Sequence, residues 1–290
     1  MDKISIVIPN LNSPIIDKTI KSIFENITPH MNYEVIVVGK DKYNLIQKNK
    51  IKFIETKDIL NPAQARNLGV HHSTGKIVCF TDADCITGKN WMTYLVEMLK
   101  EGYGAVGGSV TFDAANYWTL CDNITCFYFM LSDRPRGVYE GDVLGTLSFC
   151  ITKDTFVEIG GFDERLVTGE DFDFGIRLRN RGYKMGFEPR AVVSHHPSRS
   201  SMESVLKHVE SYANGFFDLL HKYPDLTIQT EFFASHRWLL FFSSPFKSLY
   251  FCIRLFYQHP TLRKYWYTMP GIFMIKFWLY YTLFRKNKIT

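Results

Sequence analysis

The sequence predicts an α/β protein: a mostly parallel central sheet with helices on both faces, followed by a C-terminal aromatic, basic helical region. Three observations carry this. Short apolar runs alternate with helix-period segments from Ile4 onward, a pair of acids stands where one such run ends, and Phe232–Thr290 holds nine Lys and Arg but no Asp or Glu.

The strands come first. Strands are expected at Ile4–Pro9, Tyr33–Gly39, Lys52–Glu55 and Lys76–Thr81, and the apolar run Lys76–Phe80 has the pattern of a buried parallel strand. Between the first two, Ser13–Asn26 carries Ile16, Ile20, Ile23 and Phe24 at helical spacing, with Asn12 or Ser13 as its N-cap. Pro62 suits the first turn of a helix through Ala63–His71 that stops near Gly75. Strand–helix alternation makes the sheet parallel, and ligands then sit beyond the carboxyl ends of its strands. Asn10 and Asn12 stand at the end of the first strand, Asp82 and Asp84 at the end of the fourth.

Further on, a helix is expected over 89–101, a short strand after Gly102–Gly108, and an aromatic helix over 114–131. Residues 145–197 read as strand, helix, acidic loop, helix, strand. The charge shift places a module boundary near residue 230, giving a domain over 1–230 and a tail over 231–290; the first 231 residues hold 25 basic and 29 acidic residues.

Composition narrows the function classes. At 46% hydrophobic residues the chain builds a sizeable core and is not disordered. Six scattered cysteines without a CxxC pair suit a reducing compartment and point away from zinc. Met1-Asp2-Lys3 leads straight into the first strand, which reads as no signal peptide, so a cytoplasmic location is expected. No nucleic-acid motif accompanies the basic aromatic tail, so nucleic acid is not an expected partner.

The stretch FTDADC places two carboxylates where a buried strand ends, an arrangement that either solvates a loop or holds a cation. It stands in a fixed order with four other features: IVIPNLN at the first strand, the Arg-bearing NPAQARNLG before the acids, GGFDERLVTGEDFDFGIRLRNRG after them, and AVVSHH closing a later strand. With these motifs, residues 3–215 resemble the family 2 inverting glycosyltransferases of the GT-A, Rossmann-like fold. The resemblance implies transfer of a sugar from a nucleotide-diphosphate donor, assisted by Mn²⁺ or Mg²⁺. It implies a nucleotide-sugar half over about 1–110 and an acceptor half over about 111–230. The acceptor class it implies is a glycan or glycolipid hydroxyl in surface polysaccharide or glycan assembly.

The residue types suit that chemistry. A departing diphosphate needs its charge neutralised, and hard cations prefer carboxylate oxygens. By the resemblance, Asp84 binds the metal and Asp82 contacts the ribose or the metal through water. His195 or His196 supplies a third ligand, with His195 favoured by its VVxH spacing. Asp171 is the base and Glu170 orients the acceptor or a neighbouring group. At a helix start Asp171 feels the positive end of the dipole, which favours its ionised form. Arg66 approaches the donor's diphosphate or base, and Pro9, Asn10 and Asn12 line the nucleotide pocket. The family's acidic pair after the second strand reads Val38-Gly39-Lys40-Asp41 here, so either Asp41 substitutes through a shifted loop or the base is held differently, and the preference for a UDP donor is weakened. Two rivals stand beside this reading: transfer to a polyprenyl phosphate, whose acceptor already carries an anion, and a non-catalytic nucleotide-sugar-binding scaffold. The tail's stretches Trp238–Tyr257 and Pro270–Phe284 read as too short or too charged to span a bilayer, which predicts peripheral contact with the cytoplasmic face of a membrane.

Overall fold

The computed structural model describes residues 2–47, 50–141, 143–223 and 237–286. The boundary expected near residue 230 lies outside them. Two compact units emerge: Met1–Thr111 with Met130–His196, and Phe112–Phe129 with Pro197–Thr290.

The first unit is built around a sheet. In chain order it contains β1 (Ile4–Leu11), α1 (Ile16–Asn26), β2 (Tyr33–Lys40), β3 (Lys52–Glu55), α2 (Pro62–His71), β4 (Ile77–Phe80), β5 (Cys85–Thr87), α3 (Trp91–Leu99) and β6 (Ala105–Phe112). After α4 (Tyr117–Phe127), which belongs to the second unit, come β7 (Gly137–Val138), β8 (Phe149–Thr152), α5 (Lys153–Ile159), α6 (Glu170–Asn180) and β9 (Met185–His195). The strand order is β3-β2-β1-β4-β8-β6-β9-β5, with β7 on β9. The first four strands are parallel; β8 joins β4 and β6 antiparallel, and β5 and β7 join β9 antiparallel, so the sheet is mixed.

The helix after β1 opens later than the sequence expects. It begins at Ile16 with Ile15 as a cap lacking any side-chain bond. Pro14 would suit the first turn of a helix capped by Ser13, but the Ser13 hydroxyl is turned away, donating to the Ala83 carbonyl at 2.8 Å. Asn12 and Ser13 bond elsewhere instead. The second helix agrees closely. Asn61 and Gln64 form a capping box around Pro62. Gly69 lets α2 sit close to β1, since a Cβ there would lie 2.3 Å from a Val7 methyl.

Ile6, Val7, Ile8, Ile36 and Val37 make the sheet's fully buried centre. An aromatic cluster then ties α6 to the end of β4: Phe174 lies 4.9 Å from Phe162, which lies 5.5 Å from Phe80. Pairs of this kind contribute about 0.5–1.5 kcal/mol each beyond their buried area. The cluster fixes where the α6 N-terminus stands.

The second unit is helical. It contains α4, α7 (Met202–Lys222), α8 (Arg237–Gln258), a 3₁₀ stretch Pro260–Thr268 and α9 (Met269–Lys286). Ala213, Leu240 and Leu283 meet in its core. Pro245 stands inside α8 without ending it. Pro245 removes the amide that would bond the Phe241 carbonyl, and the Ser244 hydroxyl donates to that carbonyl instead at 2.7 Å. By length and composition alone the continuous helix is long and apolar enough to cross a membrane.

Candidate active site

The acid loop is a tight turn between two strands. The Cys85 amide donates to the Asp82 carbonyl at 3.1 Å, and β5 then runs back along β9, with Cys85 opposite His195. The loop backbone is pinned further. Ala83 O accepts from the Ser13 hydroxyl at 2.8 Å and the Thr19 hydroxyl at 3.0 Å, while Asp84 O accepts from the His196 amide at 2.9 Å. Thr19 was not singled out from the sequence, and Ser13 only as a helix cap, although a threonine on the apolar face of α1, between Ile16, Ile20 and Ile23, is the signal that marks the first of them.

The turn sends the two carboxylates to different partners. Asp84 Oδ1 faces His195 Nε2 at 3.5 Å. That is longer than the usual N–H···O range, and an oxygen and a nitrogen donor facing each other suit a divalent cation such as Mn²⁺. The His196 ring lies 2.9 Å from the Ser194 hydroxyl instead, as strand alternation requires of the next residue.

Asp82 Oδ1 accepts from the Arg66 guanidinium at 2.7 Å, and Glu170 Oε1 accepts from the other terminal nitrogen of Arg66, also at 2.7 Å. Arg66 is 3% exposed and its Nε has no partner. Burial works against its charge, but Asp82 and Glu170 outweigh burial and hold it firmly protonated. Both terminal nitrogens therefore serve carboxylates of the protein, a use of its fork that lysine cannot copy. Arg66→Met would leave two acids close together without compensation. Breaking a buried pair costs about 3–5 kcal/mol. Asp82 keeps 26% of its side chain exposed, so the lower end applies. The expected result is a fall in Tm of roughly 6–12 °C by thermal denaturation; an unchanged Tm would mean that water replaces the guanidinium.

Asp171 stands in the first turn of α6, after Gly169, whose φ of 84° favours glycine. One Asp171 oxygen accepts from the Phe172 amide at 2.8 Å. Burial and then the Glu170 carboxylate push its pKa up to about 7, against the pull of Arg66. The helix terminus alone favours ionisation; burial and a like charge overturn that sign. Asp173 points elsewhere, pairing with Arg177 at 2.7 Å.

At the first strands, Asn10 donates from Nδ2 to the Lys40 carbonyl at 2.8 Å and accepts from the Ser13 amide at 3.1 Å. Asn12 accepts from the Lys42 amide at 2.8 Å. These side chains tie the loops after β1 and β2 together, and Pro9 lies within β1 beside them. Asp41 accepts from the Ile46 amide through Oδ2 at 2.8 Å, while its Oδ1 is buried without a partner.

The second unit holds a further cluster. Donor atoms of Asp122, Cys126 and His208 lie within 4.8 Å of one another. Arg199 donates to Asp122 at 2.8 Å, and His208 lies 3.0 Å from its other oxygen. Burial pushes the Asp122 carboxyl up, but His208 and Arg199 hold it below its ordinary value. A guanidinium already neutralises this acid, so the cluster is an internal ion pair rather than a metal centre.

Residues 5–120 match the family described as glycosyl transferase family 2, and residues 77–281 match glycosyl transferase family group 2. Glycosyltransferase AglE of Haloferax volcanii is 26% identical over 215 residues, covering 70% of each chain. The mannosyltransferase PcManGT from Pyrobaculum calidifontis, solved with GDP-Man and Mn²⁺, superposes with a TM-score of 0.56 at 18% identity, covering 75% of this chain and 64% of that one. GalNAc-T7, solved with UDP, GalNAc and Mn²⁺, gives a TM-score of 0.55 at 17% identity, covering 72% of this chain and 47% of that one. The chain thus spans about half to two-thirds of the length of those two structures. The matches take in most of the sequence, the solved neighbours share its fold, and the chain belongs to the family 2 glycosyltransferases with a GT-A fold.

Proposed function

We propose that the protein transfers a sugar from a nucleoside-diphosphate donor to a hydroxyl of a glycan or glycolipid, in one displacement that inverts the anomeric carbon. The observation that carries this is the convergence around Arg66: one guanidinium joins the acid loop, where Asp84 faces His195, to the helix start that bears Asp171.

A bound Mn²⁺ or Mg²⁺ supplies a Lewis acid that neutralises the charge developing on the departing diphosphate. Asp84 and His195 would hold it, with Asp82 behind and His196 turned to Ser194. Asp41 Oδ1, buried and unpartnered, suits an N–H of the donor base. Uracil and guanine both offer such a donor, as do the UDP and GDP-Man of the two solved neighbours. Pro9, Asn10 and Asn12 shape the floor on which the base lies. Asp171 accepts the acceptor's hydroxyl proton as its oxygen bonds to the anomeric carbon and the carbon–diphosphate bond breaks. Glu170, fixed by Arg66, keeps the α6 start in register with the acid loop.

The test is a panel of nucleotide sugars with Mn²⁺, read by mass spectrometry for released nucleoside diphosphate and by NMR for product configuration. One donor is expected to turn over, with inversion, and turnover to stop on chelation. Retention of configuration, or turnover undiminished by chelator, would overturn the reading.

A further inference from the structure

We propose that α8 docks this protein on a bilayer containing anionic lipid, lying in the interface with its exposed face toward the acyl chains. Trp238, Phe242, Phe246, Leu249, Ile253 and Tyr257 follow one another at spacings of three and four, so they form one stripe along the helix. All are at least half exposed, and Phe246 and Tyr257 are 76% and 79% exposed. The opposite side is engaged within its own unit: Leu240, Ser244, Ser248, Cys252 and Leu255 are buried. The helix is about 33 Å long at the standard rise per residue. An unbroken apolar stripe of that length marks an interaction surface rather than ordinary surface scatter.

Charge chooses the occupant. Arg254 is exposed and, at about 100° per residue, stands on the flank between the stripe and the buried side, while Lys247, seven residues earlier on the same line, is half-buried with its ammonium 5.6 Å from the Tyr280 ring centroid. Arg263 and Lys264 are exposed beside Trp266, itself 69% exposed. No acidic residue occurs from 232 to 290. A second copy meeting this face would bring cations against cations with no carboxylate on the helix to answer them. Anionic headgroups answer all of them at once. Not every tail cation takes part: Lys276 is turned inward, 4.2 Å from the Phe251 ring centroid. Lying flat also fits better than crossing, because a crossing helix would hold the exposed Arg254 among the acyl chains.

The docking is independent of the reaction, and its test needs no substrate. The full chain is sedimented with vesicles of phosphatidylcholine alone or mixed with phosphatidylglycerol. Binding to the mixed vesicles is expected, weaker on the neutral ones and weaker in 1 M salt, where the screening length is about 3 Å. Phe242→Ser with Phe246→Ser, at exposed positions, should weaken binding by at least about tenfold without changing the thermal melt. Absence of binding to the anionic vesicles at low salt overturns the proposal. So does a dimer in solution that the double variant converts to a monomer, since the face would then serve a second copy. Resistance of the membrane-bound protein to alkaline carbonate extraction would overturn the flat orientation in favour of a crossing helix.

Discussion

Asp84→Ala is expected to lower kcat/KM for sugar transfer by about 10³-fold or more while the fold stays intact. A metal acting as a Lewis acid contributes several kcal/mol to a transition state that carries a departing diphosphate. At 1.36 kcal/mol per decade, about 4 kcal/mol corresponds to three decades. The carboxylate that faces His195 at 3.5 Å is the group this loss would remove. Three measurements separate the causes. Steady-state turnover reads the loss, calorimetry with and without Mn²⁺ reads metal-dependent donor binding, and a thermal melt confirms the fold. Asp82→Ala should be milder, because its carboxylate is bonded to Arg66 rather than facing the histidine. Near wild-type turnover of Asp84→Ala in Mn²⁺ would remove Asp84 from the site.

Asp171→Asn keeps the shape of the side chain and removes its ability to take a proton. A loss in kcat of about 10²- to 10⁴-fold is expected, the range for removal of a general base, with donor affinity little changed. The native enzyme should also show a specific pH dependence. Only the carboxylate form accepts a proton, and burial with Glu170 raises the Asp171 pKa to about 7. Below that pH the protonated form dominates, so kcat should fall about tenfold per pH unit on the acid side and level off above. The asparagine variant should lose this limb. A flat profile through neutral pH in the native enzyme, or a variant damaged mainly in donor affinity, would assign Asp171 to another task.

Much of the donor-side architecture is legible in the sequence because it is periodic. The apolar runs of β1 to β4 and the capping residues of α2 state their own structure, and the acids at the strand end stand out against that background. What could not be read is long-range or aperiodic. Strand β5 is three residues long and carries no period, yet it brings Asp84 beside His195. Nothing near Arg66 in the chain announces that both ends of its fork are taken by Asp82 and by a glutamate 104 residues away. Position in a helix gave the wrong sign for Asp171, because neighbours and burial enter only with the tertiary structure. In α8, the hydrogen bond that Pro245 cannot make is replaced by one serine hydroxyl.

The Arg66 bridge bears on how this enzyme can be recombined with its relatives. Any single crossover between residues 67 and 169 draws Arg66 from one parent and Glu170 from the other. If one parent lacks its half of the pair, the hybrid inherits either Glu170 without its guanidinium or Arg66 with one of its two carboxylate partners gone, however well the rest of the two sequences blend. Chimeras are therefore best cut outside that interval, or built with both residues transplanted as one unit.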